Sequence, residues 1–424
     1  MLQVATIREN KEKIIKALEK RSFPGASEVI NEVIAVDDQR KAAQSSNDEI
    51  LAEANSISKQ IGMLMKEGKK AEAEEVKAKS AELKAKSKTL GEEQAKLENQ
   101  LLELLYNIPN APNENVPAGA SEEHNEVVKE HGSTTQLYDK AVPHWELIKR
   151  YDIIDFELGV KVTGAGFPFY KGKGARLQRA LVNFFLDEAT KKGYQEVQPP
   201  IVINEDSGYG TGQLPDKDGQ MYRIGEENFF LIPTAEVPIT NMYRDVILKS
   251  DNLPIKHVGF TPCFRREAGS WGAHVRGLNR LHQFDKVEVV QVQHPDKSYD
   301  TLNEMCEYVQ GLLEKLGLQY RVLNLCAGDL GITSAQTFDM EVYSAAQEKW
   351  LEVSSVSNFE TYQANRLKLR YKDENNKKQL CHTLNGSALA LPRIMAAILE
   401  NNQTPEGIKI PEVLVPYTGF DMIN

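Results

Sequence analysis

The chain has 424 residues, of which 51 are Lys or Arg and 61 are Asp or Glu, giving a formal net charge of −10. That length predicts two or three domains, and the acidic balance excludes nucleic-acid binding by overall charge, so any such site must be a local basic patch. The four cysteines and eight histidines form no C-x-x-C or H-x-x-x-H pair. This argues against a disulfide scaffold or a protein-held zinc and indicates a reduced, cytoplasmic compartment. No apolar run approaches the roughly 20 residues that span a bilayer, so we expect no membrane segment.

Residues 27–105 predict a helical hairpin. Two series of residues recur there at alternating steps of three and four, which is the spacing of a coiled-coil seam. Between them lies the segment 66–70, where Gly68 favours a break. One long helix is the alternative, but an antiparallel hairpin buries both seams within one chain. The predicted seam residues are Val29, Val33, Val36, Arg40, Ala43, Asn47, Ile50, Ala54, Ile57, Ile61 and Leu64, then Ala73, Val76, Ser80, Leu83, Ser87, Leu90, Gln94, Leu97, Leu101 and Leu104.

The distal half of this predicted arm is basic. It carries nine lysines and five glutamates between positions 59 and 88, a local balance of +4 in an acidic chain. Such a patch indicates a polyanion partner, although an ordinary solvated helix face with i,i+4 ion pairs has the same composition. The nine are Lys59, Lys66, Lys69, Lys70, Lys77, Lys79, Lys84, Lys86 and Lys88.

After a Pro- and Asn-rich linker at 107–121, helices and strands follow in mixed order. An amphipathic helix is predicted at 174–192, and it leads through Gly193 into a short strand before Pro199 and Pro200. No G-x-G-x-x-G or Walker A loop occurs in the sequence, so a nucleotide would have to bind by another route. The remaining predicted strands are 229–232, 257–265, 282–292, 320–324, 340–343 and 351–356, and a further helix is predicted at 392–400.

The most informative segment joins two predicted strands, one ending at Arg265 and the next beginning at residue 282, through a polar loop that contains glycine. Strand alternation predicts that Arg265 and Glu267 share a face, and that His282, Phe284, Lys286 and Glu288 do so as well. A guanidinium beside a carboxylate suits the binding of a phosphate together with an adenine amino group. A plain salt bridge between Arg265 and Glu267 is the simpler alternative.

Three further segments carry polar groups near strand ends. Thr234 and Glu236 follow an apolar strand, where helix capping by Thr234 is the alternative to a binding role. Glu352 and Ser355 offer hard oxygen ligands suited to Mg²⁺, with a solvated edge strand as the alternative. Arg393 is predicted in the first turn of a helix, where a cation opposes the helix dipole, so contact with an anion is the natural compensation.

Taken in order, these segments resemble the signature motifs of class II aminoacyl-tRNA synthetases. The helix and strand ending at Pro200 resemble motif 1, the dimer-forming element of that class. The segment 264–267 with its loop and return strand resembles motif 2, and the segment from Ser387 to Arg393 resembles motif 3. Within the class, similarity to the seryl-tRNA synthetase family rests on Thr234-Ala235-Glu236, Glu267-Ala268-Gly269-Ser270, residues 282–288, 352–355 and 384–387, and on an arm preceded by Ile7-Arg8-Glu9-Asn10. Ala388, Ala390 and Pro392 depart from the glycine-rich run that is frequent in motif 3.

The resemblance implies an α+β fold. A class II antiparallel-sheet catalytic domain with flanking helices is expected at 111–424, and an N-terminal domain at 1–110, with an antiparallel two-helix coiled-coil arm over about 27–105. The implied enzyme is a cytoplasmic homodimer joined through the motif 1 region. It converts L-serine and ATP, with Mg²⁺, to seryl-adenylate and pyrophosphate, and then transfers serine to the 3′ end of a tRNA(Ser) held by the arm lysines. The resemblance leaves open whether tRNA(Sec) is also a substrate.

The same resemblance implies roles for individual residues. Serine is expected to contact Thr234, Ala235, Glu236, Arg265, Glu288 and Ser387. ATP is expected to contact Arg265, Arg266, Glu267, Leu281, Phe284, Glu352, Val353, Ser354, Ser355 and Arg393. Glu352 and Ser355 are the expected ligands of Mg²⁺, and adenine is expected to stack between Phe284 and Arg393.

Two alternatives belong to different classes of protein. A seryl-like amino acid:carrier-protein ligase would share the pocket but lack the long arm. A non-catalytic coiled-coil adaptor would not require Arg265, Glu267, Glu352 and Arg393 together. Relatives of the class with a C-terminal anticodon domain of about 100 residues are disfavoured, because 31 residues follow Arg393.

Overall fold

The computed structural model describes residues 1–267 and 276–424. Ala268, Gly269 and Ser270, which contribute to the family resemblance, lie outside the described residues. The chain forms two compact units, one of residues 2–19 and 23–109, the other of Met1, 20–22 and 110–424. Across the described ranges, no helix is long and apolar enough to cross a membrane.

The smaller unit is built on four helices, α1 (Val4–Glu9), α2 (Lys11–Lys20), α3 (Ala26–Lys66) and α4 (Lys70–Asn107). The two long helices pack antiparallel: the Ser87 hydroxyl donates to Asn47 Oδ1 at 2.7 Å, and Lys79 pairs with Glu53 at 2.9 Å. The chain reverses at Gly68, whose φ of 76° lies in the left-handed region that glycine tolerates. The predicted hairpin and its break are therefore confirmed.

The buried seam of the hairpin differs from the prediction at its base. Ile30 and Leu105 are buried there, whereas the predicted Val29 and Leu104 are half-buried. A straight α-helix drifts by about 20° per heptad from a strict repeat of 3.5 residues, which moves the buried stripe by one position over a long helix. Helix α1, with its fully buried Ile7, also packs on α3 at this end and widens the covered face.

The larger unit contains the remaining α-helices and the strands that the described residues form. The helices are α5 (His144–Arg150), α6 (Phe156–Val162), α7 (Gly172–Lys191), α8 (Glu205–Thr211), α9 (Glu236–Asn241), α10 (Ser298–Lys315), α11 (Thr361–Arg366), α12 (Leu391–Asn401) and α13 (Val415–Thr418). The strands are β1 (Glu126–His131), β2 (Ile154–Asp155), β3 (Phe169–Tyr170), β4 (Gln195–Glu196), β5 (Val202–Asn204), β6 (Tyr222–Ile224), β7 (Phe229–Leu231), β8 (Ile247–Lys249), β9 (Ile255–Phe264), β10 (Gln283–Gln293), β11 (Tyr320–Asn324), β12 (Gln336–Ser344), β13 (Lys349–Asn358), β14 (Arg370–Lys372), β15 (Lys378–Leu380), β16 (His382–Ala390), β17 (Ile408–Lys409) and β18 (Met422–Ile423).

An eight-stranded sheet forms the centre of this unit, in the order β1-β11-β12-β13-β16-β10-β9-β4. Its neighbouring strands run antiparallel except β4, which is parallel to β9. Helices α7, α10 and α12 contribute to a core that also takes inward residues of the sheet; Leu177, Val289, Leu312 and Ile398 are all buried in it. Because successive strand residues point to opposite faces, the alternate residues of β9, β10 and β16 are presented on the other face. The predicted α+β class with a mainly antiparallel sheet is confirmed.

The strands differ from their predicted bounds where pairing, rather than composition, sets their length. The predictions at 340–343 and 351–356 become β12 and β13, of nine and ten residues. Their ladder continues past the apolar runs, because a strand flanked on both sides is stabilised by its neighbours whatever its own propensity. The strand predicted before Pro199 is reduced to Gln195–Glu196 at the edge of the sheet.

Candidate active site

The face of the large sheet opposite the helical core carries polar side chains at adjoining positions. Sheet register pairs Glu288 of β10 with Ser387 of β16. Arg265 follows the end of β9, and its guanidinium lies 5.3 Å from the centre of the Phe284 ring, within cation–π range. Pairing of three strands therefore brings together residues that the chain separates by more than a hundred positions.

Glu288 is fully buried on this face. Its Oε2 lies 2.5 Å from Nζ of Lys286, which is also buried, and its Oε1 accepts a hydrogen bond from Asn385 Nδ2 at 2.9 Å. A buried carboxylate and a buried ammonium are tolerated when they are paired with each other. The floor of the site is thus a charged pair whose geometry is set by the strand backbone.

Helix α9 brings a second carboxylate close to the first. The backbone N–H of Glu236 donates to Thr234 Oγ1 at 3.3 Å, a cap-like contact of the kind that the sequence left open for Thr234. Glu236 is buried, and its Oε1 accepts from Gln363 Nε2 at 2.6 Å. Burial, reinforced by the charge of Glu288, raises the pKa of Glu236 to about 7. A cationic group in this pocket would favour the ionised form of Glu236.

Replacing Glu236 by glutamine is expected to change how stability depends on pH. The pKa of this carboxyl is about 7 in the fold, against an ordinary value of 4.5 for glutamate. The stability that this carboxyl contributes is therefore fully present below its ordinary pKa of 4.5, and it is lost as the pH rises through the folded-state pKa of about 7. Glutamine does not ionise, so E236Q should gain stability relative to the wild type between about pH 5 and about pH 8, by at most about 3 kcal/mol. Thermal unfolding of both proteins over this range measures the difference, and a constant difference would contradict the assignment.

The rim of the site is formed where β9 ends. Glu267 adopts a φ of 49°, which is uncommon outside glycine. Its Oε2 lies 3.2 Å from Nε of Arg280. The Nε of Arg265 donates instead to the carbonyl of Pro233 at 3.3 Å. Glu267 therefore pairs with Arg280 rather than Arg265, and the plain salt bridge considered from the sequence is not the arrangement observed.

Arg393 lies in the first turn of α12 and closes another side of the site. Its Nη1 donates to the backbone carbonyl of Glu352 at 2.7 Å and to the carboxylate of Glu352 at 3.2 Å. Its Nε donates to the carbonyl of Asn279 at 3.1 Å. These three acceptors offset the unfavourable position of a cation near a helix N-terminus.

A group of oxygen donors lies beside Arg393, and one of its members was missed from the sequence. The Ser355 hydroxyl donates to Asp339, its register partner across β12 and β13. Burial, together with the charge of Glu352, raises the pKa of Asp339 well above its ordinary value. Asp339 and Glu341 alternate at the start of a predicted strand, and that acidic alternation was the available signal. Carboxylate and hydroxyl oxygens are the donors that Mg²⁺ prefers, so the residues present fit this ion.

Several of the predicted contact residues are placed where their side chains serve packing or lie at the surface. Val353 is part of the hydrophobic core, and the Ser354 hydroxyl donates to the carbonyl of Ser387 at 2.6 Å. Leu281 and Ala235 are buried, whereas Arg266 is exposed and its backbone N–H donates to Gln220. Among these, Val353, Leu281 and Ala235 are suited to contact a ligand through the backbone rather than the side chain.

Comparison with known proteins gives a consistent result along the whole chain. Residues 1–112 match the family model of the seryl-tRNA synthetase N-terminal domain, and residues 221–402 match that of the tRNA synthetase class II core domain (G, H, P, S and T). The serine–tRNA ligase of Salinibacter ruber is 49% identical over 426 residues, covering 100% of this chain and 99% of the relative. The chain belongs to the seryl-tRNA synthetase family. As a member of it, the protein is a class II serine–tRNA ligase.

Solved structures of other seryl-tRNA synthetases have the same architecture. The enzyme of Pyrococcus horikoshii, crystallised with ATP, superimposes with a TM-score of 0.91 at 32% identity, over 100% of this chain and 99% of that one. The cytoplasmic serine–tRNA ligase of Naegleria fowleri, in complex with AMP, gives a TM-score of 0.87 at 30% identity with the same coverage. The synthetase fold described above therefore extends over both units of the chain.

The structure also assigns partners that sequence reasoning did not predict for the synthetase. Lys286 lies on the predicted face, but its ion pair to Glu288 was not predicted, and neither Asn385 nor Gln363 was expected as a partner of the two pocket carboxylates. Both amides lie far along the chain from the groups they contact, at separations of 97 and 127 residues. No local pattern signals such a contact, although Asn385 belongs to the Leu384-to-Ser387 segment that carries the family resemblance.

Proposed function

We propose that this face activates L-serine with ATP, forming seryl-adenylate and pyrophosphate, and that serine is then transferred to the 3′ end of tRNA(Ser). The observation that carries the proposal is the fully buried Glu288 carboxylate, paired with Lys286, together with the Arg265 guanidinium 5.3 Å from the centre of the Phe284 ring. The buried Glu288–Lys286 pair suits a small polar amino acid, and the guanidinium of Arg265 suits a nucleotide phosphate.

Recognition of serine is assigned to the two pocket carboxylates. The hydroxyl of serine would donate to Glu288 beside Ser387, and its ammonium would lie near Glu236 and Thr234, with Ala235 lining the wall. Alanine would leave the Glu288 carboxylate desolvated without a donor, and sites of this kind reject the analogue that lacks the hydroxyl by about 10⁴–10⁵. Threonine would have to be excluded by crowding.

The nucleotide is assigned to the rim. Arg265 would hold the α-phosphate and the serine carboxylate, with Arg266 nearby at the surface, and adenine would stack between Phe284 and Arg393. Glu267 and the backbone of Leu281 would read the adenine edge. Because the attacking serine carboxylate is already ionised at pH 7, the reaction needs no general base, and catalysis rests on positioning and on charge stabilisation at the α-phosphate.

Magnesium is assigned to Glu352 and Ser355, next to the backbone of Val353 and Ser354. When bound, the ion would neutralise charge on the phosphates. The Ser355 hydroxyl donates a hydrogen bond to Asp339, which leaves the lone pairs of its oxygen directed elsewhere. This accounts for the pairing of a hydroxyl with a buried acid on neighbouring strands.

The arm is assigned to the phosphate backbone of tRNA(Ser). Five of its nine lysines are ion-paired with glutamates, namely Lys69, Lys77, Lys79, Lys86 and Lys88. The other four, Lys59, Lys66, Lys70 and Lys84, form no ion pair with any residue in the described ranges. Exposed ion pairs partly neutralise their lysines, so the unpaired four are the stronger candidates for phosphate contacts.

The synthetase is further proposed to act as a cytoplasmic homodimer, joined through the motif 1 region around α7 and β4. Strand β4 forms one edge of the large sheet, and such an edge is a template for pairing with another chain. Val160, Val162 and Phe169, on elements just before α7, are exposed apolar residues, of the kind that a symmetric interface covers. We propose that the chain is divided into an N-terminal domain at 1–110 and a catalytic domain at 111–424.

One experiment tests the activity most directly. ATP–pyrophosphate exchange should be measured with each of the twenty amino acids, with Mg²⁺ and again after its removal by EDTA. We expect exchange with serine, weaker exchange with alanine by at least about 10⁴-fold, and loss of exchange without the metal. Exchange driven by another amino acid would contradict the serine assignment. Transfer of serine to a carrier protein rather than to tRNA would favour the carrier-protein ligase instead.

A further inference from the structure

A buried polar network outside the proposed contact residues connects α5 with Gly277–Asn279, a turn in the motif 2 segment just before the return strand β10. His144, the first residue of α5, and Glu400 of α12 are both fully buried. His144 Nδ1 lies 2.6 Å from Glu400 Oε1, and the same oxygen accepts the backbone N–H of His144 at 2.7 Å. Ser344 and Gln347 also donate hydrogen bonds to the Glu400 carboxylate, which fixes its position beside His144.

The other ring nitrogen of His144 is bonded to the Gly277–Asn279 turn. Nε2 accepts the backbone N–H of Leu278 at 2.8 Å. An acceptor carries no proton, so the partners define a neutral imidazole that donates from Nδ1 and accepts at Nε2. The approach is close: a Cβ added to Gly277 would stand 2.3 Å from Nε2, and Gly277 has a φ of 67°. The ring therefore requires glycine at this position of the turn.

The same turn is the structure against which Arg393 is oriented. The carbonyl of Asn279 accepts from Arg393 Nε at 3.1 Å. The Asn279 side chain donates to Gln347 Oε1 at 3.0 Å, and Gln347 donates in turn to Glu400. Leu278, through His144, and Asn279, through Gln347, are thus both linked to the buried carboxylate of Glu400. Just before it, the guanidinium of Arg276 lies 4.9 Å from the centre of the Trp145 ring, which extends the attachment to α5.

We propose that His144 is a positioning residue for ATP. By accepting from Leu278, it holds the turn in the place from which the Asn279 carbonyl orients the Arg393 guanidinium. His144 does not touch the proposed nucleotide site and acts through Arg393 alone, so the inference rests on the proposed role of Arg393. The serine pocket around Glu236 and Glu288 is held by other partners and is not part of this connection.

Two variants of His144 separate its two hydrogen bonds in the full-length chain. Asparagine places an amide near the position of Nδ1, so His144→Asn keeps the bond to Glu400 and loses the one to Leu278. Glutamine reaches the position of Nε2, so His144→Gln restores an acceptor for Leu278. We expect H144N to raise the dissociation constant for ATP, measured by equilibrium dialysis, about 10-fold. We expect H144Q to stay within about 3-fold of wild type, and the KM for serine to stay within about 2-fold in both.

A double-mutant cycle decides whether the effect passes through Arg393. In an Arg393→Ala background, H144N should weaken ATP binding by less than about 2-fold. An equal effect in both backgrounds, a matching rise in the KM for serine, or an H144Q variant as weak as H144N would each overturn the inference. If Arg393→Ala alone leaves ATP binding unchanged, the proposed role of Arg393 itself fails. That failure is seen in the single Arg393→Ala variant and is therefore distinct from a failure of the His144 inference. Thermal melting of every variant shows whether the fold is retained.

Discussion

Replacing Glu288 by alanine is expected to reduce serine-dependent ATP–pyrophosphate exchange by at least about 10³-fold while ATP still binds. The side chain is fully buried, and it is the carboxylate assigned to the serine hydroxyl. The ATP contacts lie on other residues at the rim, so the dissociation constant for ATP should stay within a few-fold of the wild-type value. Exchange assays at saturating ATP, with equilibrium dialysis of ATP alone, measure the two effects separately.

A matched variant separates lost recognition from lost stability. Glu288→Ala leaves the buried ammonium of Lys286 without its partner, which alone can cost about 3–5 kcal/mol of stability. Glu288→Gln keeps the volume and an acceptor for Asn385, so it fills the space while removing the charge. Both variants should melt below the wild type, and both should lose serine activation. Wild-type exchange in a folded Glu288→Ala protein would rule out the assignment of the pocket.

Shortening the arm is expected to separate the two reactions of the synthetase. Asn47 and Ser87 face each other across the hairpin at 2.7 Å. Joining them through the native turn, residues 67–69, removes the distal half while keeping the base of the coiled coil. Serine activation should change by less than about 2-fold, because every proposed contact to serine and ATP lies in the larger unit. The kcat/KM for charging tRNA(Ser) should fall by at least about 10²-fold, because the phosphate contacts are lost.

Two sets of lysine substitutions provide the control for charge. The first changes the four lysines without described ion pairs, Lys59, Lys66, Lys70 and Lys84, to glutamine. The second changes four ion-paired lysines, Lys69, Lys79, Lys86 and Lys88, in the same way. The first set should weaken charging more and should lower the slope of log KM against log salt by up to about 4. Equal effects of the two sets would show that ion pairing does not determine which lysines contact the tRNA. Full charging of tRNA(Ser) by the protein with the shortened arm would refute the role of the arm.

The helical arm was accessible from sequence because its information is local. Alternating steps of three and four place apolar residues on one side of each helix. The pattern stops between the two series, at the segment 66–70 that contains Gly68. Those features depend on residues a few positions apart. The deviation at Ile30 and Leu105 arises where a further helix packs on the hairpin, which the repeat does not encode.

The active-site face was accessible in part, through motifs whose order resembles a known family. Arg265, Glu288 and Arg393 were singled out from their sequence neighbourhoods, and the structure brings Arg265 and Glu288 to one face with Arg393 beside the Glu352 and Ser355 segment. The pairing of Glu267 was not accessible. Glu267 has a φ of 49°, which strand alternation does not predict, and its carboxylate lies 3.2 Å from Nε of Arg280.

The sequence by itself thus determined the family, the α+β class, the two-helix arm and the residue types that carry the chemistry. Only the tertiary structure decided which groups are paired in the interior: Lys286 and Asn385 with Glu288, Gln363 with Glu236, Asp339 with Ser355, and His144 with Leu278. The physical reason is that periodicity and capping act over a few residues. A buried polar group, by contrast, must find its partner wherever the fold places one, since leaving it unpaired is costly. His144 and Leu278 are 134 residues apart in the chain, and the fold alone brings them within 2.8 Å.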